Sequence, residues 1–291
     1  MTEQTTRLHD GRGGKGRRGR KTARPTITTV LAAAGLLVAV VIATVGRRLA
    51  AHTPTQVVGT GFQAPSAGLL LGTDAIGRDV AARVLYGGGR ILLTGLIAAA
   101  LTVLAGLGLA LVSAFAGAGR GEWIIRLVDM IGVIPGLLVL LLLGTGLPGS
   151  DVAVAAAIAL VSVPFSTRVL RTVLKNLLTT GYVEVARSRG DRWWQLVRHD
   201  IAPGLAVSLA TESGLRLTSS LQLAATAGFL GLGQGPPAAD WGRMVQENAV
   251  GVLLNPWGVV VPAVLLAVVI MSVNFLVDDL GRRLQTTSGA A

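Results

Sequence analysis

Two oppositely charged residues lie four positions apart inside an apolar stretch of this sequence. The stretch covers residues 204–228 and contains Glu212 and Arg216. A charged side chain at the centre of a membrane helix costs about 3 kcal/mol on insertion scales, so a charged residue there favours a functional interpretation. The acid precedes the base, which is the favourable order for a helical pair. The pair could offer complementary charges to a zwitterionic or polar solute, or it could neutralise itself and specify helix packing.

The same stretch is rich in uncharged polar side chains. These are Ser208, Thr211, Ser213, Thr218, Ser219, Ser220, Gln222 and Thr226. A helix this polar is poorly suited to face lipid. We therefore predict that it lines a path for solute, with Glu212, Arg216 and Gln222 as the candidate lining residues.

Other chemistry has little support in the sequence. There is no cysteine, and the three histidines, His9, His52 and His199, are far apart. Thiolate chemistry is therefore excluded, and a zinc site or a His-based hydrolase site is not expected. The chain has no G-x-x-x-x-G-K-[ST] loop to hold ATP phosphates, so we expect it to bind no cofactor itself.

The composition is that of a membrane protein. Hydrophobic residues make up 51% of the 291 residues and charged residues only 14%, with a mean hydropathy of +0.63. Soluble domains carry about 25% charged residues. Six apolar stretches are long enough to form transmembrane helices; they lie at 27–45, 91–116, 124–146, 152–169, 204–228 and 257–278.

Six spans place both termini on one side of the membrane. With the termini in the cytoplasm, eighteen Lys and Arg residues lie inside and six outside, as the positive-inside rule requires. Two arginines are a local exception to the positive-inside rule: Arg47 and Arg48 lie directly after the first span, on the predicted outer side. An arginine-rich start is what this orientation needs, so no nucleic-acid binding is predicted from the net charge of +11.

These patterns predict an all-α polytopic membrane protein in five parts. The parts are a disordered basic cytoplasmic tail (1–26), a first transmembrane helix (27–46), an extracytoplasmic segment (47–89), a five-helix core (90–281) with an inner loop (170–203), and a C-terminal cytoplasmic tail (282–291). Pro135 and Gly136 should kink the third span. In the same span, Arg126 and Asp129 are spaced i, i+3, and Arg126 is expected to extend its side chain to the inner surface.

The inner loop carries a distinctive pattern. Its spacing predicts a short helix, a turn at Gly190 where the backbone takes a positive φ, and a second amphipathic helix before a proline that opens the next span. The pattern Glu184-x-Ala186-x-x-x-Gly190, followed by Ile201-x-Pro203, resembles the EAA signature of permease subunits of binding-protein-dependent ABC importers. The resemblance implies that the loop docks on a cytoplasmic ATPase. Without it, the loop would be read as an interfacial amphipathic segment.

Two flanking segments resemble one branch of that family. The first contains Gly72, Thr73, Asp74, Gly77, Arg78 and Asp79, and is similar to the "GTDxxGRDV" segment of dipeptide, oligopeptide and nickel permeases. The second contains Phe229-Leu230-Gly231-Leu232-Gly233, Trp241 and Gly242, and looks like the outer segment of the second permease of the pair. From its residue type alone, Trp241 is expected to anchor the chain at the membrane interface.

The resemblance implies the type I ABC importer permease fold and a transport role without catalysis. Expected partners are a second permease in a heterodimer, cytoplasmic ATPase subunits that use ATP and Mg²⁺, and an extracytoplasmic solute-binding protein. The protein should lie in the lipid bilayer of the cell membrane. The solute is left open between small peptides, nickel and metal-chelator complexes. The alternative is a secondary transporter driven by an ion gradient, but Glu212 is the only clear acid at mid-bilayer.

Overall fold

Helices make up most of the described chain, and turns with isolated β-bridges connect the first helix to the second. A computed structural model describes residues 27–181, 189–190, 193–235 and 238–288. Within these ranges the α-helices are α1 (Ile27–Leu49), α2 (Val80–Phe115), α3 (Ala118–Val133), α4 (Gly136–Gly146), α5 (Asp151–Leu178), α6 (Trp193–Leu196), α7 (Ala202–Phe229), α8 (Trp241–Asn248) and α9 (Trp257–Ser288). The predicted disorder of residues 1–26 concerns a part of the chain outside the described residues.

All six predicted apolar stretches form helices, but they are not alike. Among the described residues, α1, α2, α5 and α9 are each long and apolar enough to cross a membrane. The third stretch is divided into α3 and α4, which together could form one more span. The fifth stretch forms α7, which is long enough, but its charged and hydroxyl side chains make it too polar to qualify as an apolar span.

The predicted kink at Pro135 is confirmed and is sharp. The axes of α3 and α4 differ by 79°. Pro135 has no N–H to donate, and Ile134 before it is extended, with φ −70° and ψ 127°. A residue before proline is sterically disfavoured in the helical region, so the helix ends there and restarts at Gly136.

Several helix bounds differ from the sequence-based ones. Helix α2 begins at Val80, well before the apolar stretch that starts at 91, because the Asp79 side chain caps it by accepting a hydrogen bond from Ala81 N. Helix α9 continues to Ser288, so most of the stretch taken as a C-terminal tail is helical. Hydropathy misses such extensions because they lie beyond the apolar part of each helix.

Charged side chains on α3 pair with α5 and with an aromatic ring. Asp129 accepts from Arg168 Nε at 2.7 Å, and Glu122 pairs with Arg171 and Lys175. The Arg126 guanidinium lies over the Trp123 ring, 5.4 Å from its centroid. Asp129 therefore binds a residue on another helix instead of Arg126, its neighbour in sequence.

Helix α2 lies at the centre of the bundle, where glycines let its neighbours approach. A Cβ on Gly95 would lie 2.6 Å from Leu221 Cδ2 of α7, and one on Gly106 would lie 2.8 Å from Ser166 of α5. Small residues at such contacts let membrane helices pack by close van der Waals contact. Helices α5 and α7 are thereby held on two faces of α2.

Trp241, at the start of α8, packs directly on α2. Its side chain is fully buried, and its Nε1 donates to the Val84 carbonyl at 2.8 Å. A Cβ on Gly88 would lie 2.5 Å from the indole Cζ2. The expectation that Trp241 anchors the chain at a membrane interface is therefore wrong: the residue joins the outer segment to the helical core.

The Trp241 contact predicts a selective effect of enlarging Gly88. Gly88→Val should destabilise the protein by about 1–3 kcal/mol, the usual cost of overpacking a buried site. The matched control is Gly108→Val, in the same helix, where a Cβ would meet no heavy atom within 4 Å. Thermal unfolding in detergent, followed by size-exclusion chromatography, measures both. An equal loss of thermal stability in the two variants would contradict the prediction. Such a result would mean that a change in helix propensity, and not the contact with Trp241, causes the loss.

Candidate functional site

Asp74 is the centre of a buried charge network just before α2. One carboxylate oxygen, Oδ2, lies 2.6 Å from both Arg78 Nε and Arg83 Nη1. The other, Oδ1, accepts the backbone N–H groups of Ile76 and Arg78 at 3.0 and 2.9 Å. The side chains of Asp74 and Arg83 are fully buried. A buried carboxylate is stable as an ion only with such partners.

The same network reaches α8 in the other outer segment. Glu247 Oε2 lies 3.0 Å from Arg78 Nη2 and 2.8 Å from Arg83 Nη1. Two asparagines add backbone contacts. Asn248 Oδ1 accepts from Ala75 N at 3.1 Å, and Asn255 Nδ2 donates to the carbonyls of Leu71 and Thr73 at 3.0 and 2.9 Å. Segments more than 160 residues apart in sequence are thus joined into one cap, which we call the outer cap after the side of the membrane predicted for it.

The charges around Asp74 act on its pKa in opposite directions. Burial raises the pKa of this carboxyl, but the Arg78 N–H and the positive charges of Arg83 and Arg78 outweigh burial and lower it below the ordinary value. A lowered folded-state pKa means that the ion contributes stability above the unfolded pKa and loses it as the pH falls through the folded pKa. The network is therefore fully formed at neutral pH.

The remaining residues of the first outer motif shape its turns. Gly72 and Gly77 take φ values of +70° and +85°, where a Cβ would also collide with backbone carbonyl oxygens. The Thr73 hydroxyl accepts from Gln63 N at 2.7 Å. Asp79 pairs with His52 Nδ1 at 2.9 Å in addition to capping α2. Every position predicted in this motif thus has a structural role in the cap.

Gly242 belongs to the same cap. A Cβ at this position would lie 2.5 Å from the Ala225 carbonyl oxygen of α7. Glycine therefore allows α8 to lie against the end of α7. Sequence reasoning missed Glu247 and Asn248, which are equally important to the cap. They carry no local signal, because their partners are distant in the sequence.

The inner loop is described only in part. Glu184 and Ala186 lie outside the described residues. Gly190 has φ +81°, which confirms the predicted positive-φ turn. Ile201 is fully buried and packs with Leu170, Leu174, Leu196 and Leu205. This apolar cluster ties the end of the loop to α5 and α7.

The second helix of the loop does not stop before the next span. A π-helical turn, Val197–Ile201, joins α6 to α7 without a break, and Pro203 lies in the first turn of α7. Pro203 has no N–H to donate to the preceding turn, and that turn is the π-helical one. Residues 193–229 thus form one continuous helical path, whereas the sequence predicted two separate helices.

The charged pair in α7 is an internal ion pair. Glu212 Oε1 lies 2.9 Å from Arg216 Nε, with 2% and 17% of the side chains exposed. Leu205 and Leu209, on the same helical face, belong to an apolar cluster with residues of α2 and α5. The pair therefore points into the bundle of this chain.

Gln222 lies on a different face of α7, which is exposed. Leu215 and Phe229 are 44% and 47% exposed, and Gln222 between them is exposed as well. These residues recur every seven positions, so they share one face. Ser219 and Thr226, on the same face, are partly exposed. The face is a mainly polar stripe at the surface of this chain.

Across the residues that the structure describes, no group of three or more His, Asp or Glu side chains is placed to hold a metal ion.

The sequence matches a known family over most of its length. The model for "Binding-protein-dependent transport system inner membrane component" matches residues 106–286. The chain is 31% identical to the probable D,D-dipeptide transport system permease protein DdpC of Escherichia coli strain K12, over 83% of this chain and 81% of that one. It is 30% identical to the glutathione transport system permease protein GsiD of Pectobacterium atrosepticum, covering 75% and 72%.

Solved structures show the same fold. An inward-facing structure of the MetNI methionine ABC transporter aligns with a TM-score of 0.55 and 18% identity, over 67% of this chain and 92% of that one. An amino acid ABC transporter aligns with a TM-score of 0.52 and 20% identity, over 66% and 90%. The helical core, the polar α7 and these matches agree: the chain belongs to the family of inner-membrane components of binding-protein-dependent transport systems and is a multi-pass permease subunit of an ATP-driven importer.

Proposed function

We propose that this chain forms half of a translocation pathway for small peptides. The observation that carries the proposal is the 31% identity, over most of both chains, to a protein named as a D,D-dipeptide permease. A di/tripeptide permease of Pseudomonas aeruginosa is also 31% identical, over 72% of this chain. In this proposal a second permease supplies the other half of the pathway.

The peptide proposal predicts a specific pattern of uptake. Cells that express the chain with its partner subunits should take up a labelled dipeptide, and the uptake should stop when ATP is depleted while the ion gradients are kept. Collapsing the gradients with an ionophore at constant ATP should leave uptake intact. The reverse pattern would favour the ion-driven alternative. Uptake of nickel but not of the dipeptide would contradict the proposal that small peptides are the solute.

We assign the path to the polar stripe of α7. In a heterodimer, a polar exposed face suits a surface that meets water and the other permease better than one that meets lipid. Gln222, Ser219 and Thr226 supply hydrogen-bonding groups that suit the amides of a peptide. Glu212 and Arg216 form an ion pair with each other inside this chain, so we assign them a role in packing.

Variants of the stripe test this assignment. Gln222→Leu and Thr226→Val should each lower dipeptide uptake several-fold at constant membrane abundance. The control is Thr145→Val on α4. Thr145 is also exposed, and its hydroxyl donates to its own helix at Leu141 O, as that of Thr226 does at Gln222 O. Full activity in the stripe variants, or an equal loss in Thr145→Val, would contradict the assignment.

The Glu212–Arg216 pair should respond as a packing element. Removing one partner of a buried ion pair leaves an uncompensated charge and costs about 3–5 kcal/mol. Arg216→Met should therefore lower the thermal midpoint strongly, and Glu212→Gln combined with Arg216→Met should restore part of it. Uptake per folded molecule should stay near wild type in the double variant. A fall in uptake at unchanged stability would instead place the pair in the path.

We infer that the inner loop couples this chain to separate ATPase subunits. Supporting this is the EAA-like pattern from Glu184 to Pro203, together with the continuous helix from α6 to α7. The buried Ile201 fixes the end of the loop to the core, so force applied to the loop reaches α7. The termini would then lie in the cytoplasm, and ATP hydrolysis would take place in the partner subunits, with no catalysis by this chain.

A pull-down from solubilised membranes tests the coupling. Tagged wild type should recover an ATPase and a second permease, whereas Glu184→Arg and Gly190→Arg should lose the ATPase and keep the permease. Glu122→Arg is the control, because it makes the same charge change at the start of α3, where the acid forms exposed ion pairs that contribute little to stability. The claim fails if the loop variants retain the ATPase.

A further inference from the structure

A basic cleft lies where α1, α2 and the loop before α5 meet. Its walls include Arg47 of α1, Gly89 and Arg90 of α2, and Pro148 and Asp151 around the start of α5. One lobe has a volume of about 620 Å³. A second lobe, of about 350 Å³, shares Arg47 and Arg90 and is lined by Pro54 and Ala238 of the outer cap. The two arginines thus stand between the lobes.

Two close helix contacts bring the arginines together. A Cβ on Gly46 would lie 2.6 Å from the Leu85 carbonyl oxygen, and one on Gly89 would lie 2.9 Å from that of Ala43. Arg47 and Arg90 directly follow these glycines. The crossing of α1 and α2 therefore places both guanidinium groups at the same end of the helix pair.

The arginines are held in place but retain donor capacity. The Arg47 guanidinium lies over the Tyr86 ring, 5.9 Å from its centroid. Arg90 Nε pairs with Asp151 at 3.1 Å, and its Nη2 donates to Gln234. Arg90 Nη1 is buried without a hydrogen-bond partner among the described residues. This nitrogen is closed off from solvent, whereas the exposed Arg47 guanidinium can donate to a group in the cleft. The positive charge of Arg47 therefore favours an anionic oxygen there.

The position of the cleft matches the headgroup level of a bilayer. Arg47 follows the apolar stretch 27–45, Arg90 precedes the stretch 91–116, and Asp151 precedes the stretch 152–169. The ends of three apolar stretches thus lie side by side around the cleft, which is the arrangement expected at the boundary between lipid tails and headgroups. Below them the larger lobe is lined by Leu93, Ile97 and Val152, which are 58%, 40% and 73% exposed.

We propose that this cleft binds an anionic phospholipid. The phosphate lies between Arg47 and Arg90, the polar headgroup extends into the lobe under the outer cap, and an acyl chain lies along Leu93, Ile97 and Val152. Bound phosphate would accept hydrogen bonds from the exposed Arg47 guanidinium and lie near the positive charge of Arg90. It would also balance the positive charge that Arg47 places on the side of the membrane where the positive-inside rule disfavours it. The proposed transport function uses neither the cleft nor the positive charge of its arginines.

The test uses the assembled transporter purified in detergent with defined lipid. Phosphatidylglycerol retained by the complex is counted by native mass spectrometry and compared with phosphatidylcholine. Wild type should retain phosphatidylglycerol selectively. Arg47→Gln and Arg90→Gln should each weaken retention about tenfold, the loss expected for a charge-assisted hydrogen bond. Arg48→Gln is the control, because Arg48 carries the same charge next to Arg47 and is not among the cleft-lining residues.

Each other outcome would overturn the proposal. Equal retention in wild type and Arg47→Gln would exclude a role for the cleft, and since Arg47 is exposed, its replacement should not disturb folding. Equal loss in Arg48→Gln would indicate nonspecific charge attraction. Displacement of the lipid by millimolar inorganic phosphate would identify a free-anion site. Absence of phosphatidylglycerol from the wild-type complex would mean that another component covers the cleft.

Discussion

The outer half of the structure depends on the ionised carboxylate of Asp74. This buried group accepts bonds from two arginine side chains and two backbone amides, so its negative charge organises the turn before α2. Arg78 and Arg83 then reach Glu247 on α8. Removing the central charge would leave two buried guanidinium groups with one partner, Glu247, between them. The cap therefore forms as a unit, from segments at opposite ends of the permease core.

The cap and the bundle are joined by close packing rather than by further charges. Trp241 fills the space over Gly88 and donates to α2, while Gly242 lets α8 touch the end of α7. Glycines on α2 continue this pattern toward the inner side, at Gly95 and Gly106. Close backbone approach is the main source of helix association in lipid, where the hydrophobic effect does not distinguish one apolar partner from another.

The helices and the motifs could be predicted from the sequence, whereas the contacts between distant segments could not. Apolar stretches and the Pro135 break depend on local chemistry, and both were predicted correctly. Glu247 escaped notice because its partners are Arg78 and Arg83, far away along the chain. Trp241 was misplaced because an aromatic residue near a membrane boundary suits an interface and a glycine-lined pocket equally well. The Glu212–Arg216 pair was identified from spacing, but its inward direction required the packing of α7.

The unbroken path from α6 through α7 has a mechanical consequence. Helix α7 contains 28 residues, which corresponds to a length of about 42 Å. Its outer end is pinned where Gly242 and Trp241 fasten α8 against α7 and α2, whereas its inner end follows the loop. The helix can then tilt as a rigid rod about its outer end, which the outer cap holds in place. A tilt of about 10° would move the inner end by about 7 Å, so the amplitude of motion is greatest near the loop and smallest at the cap.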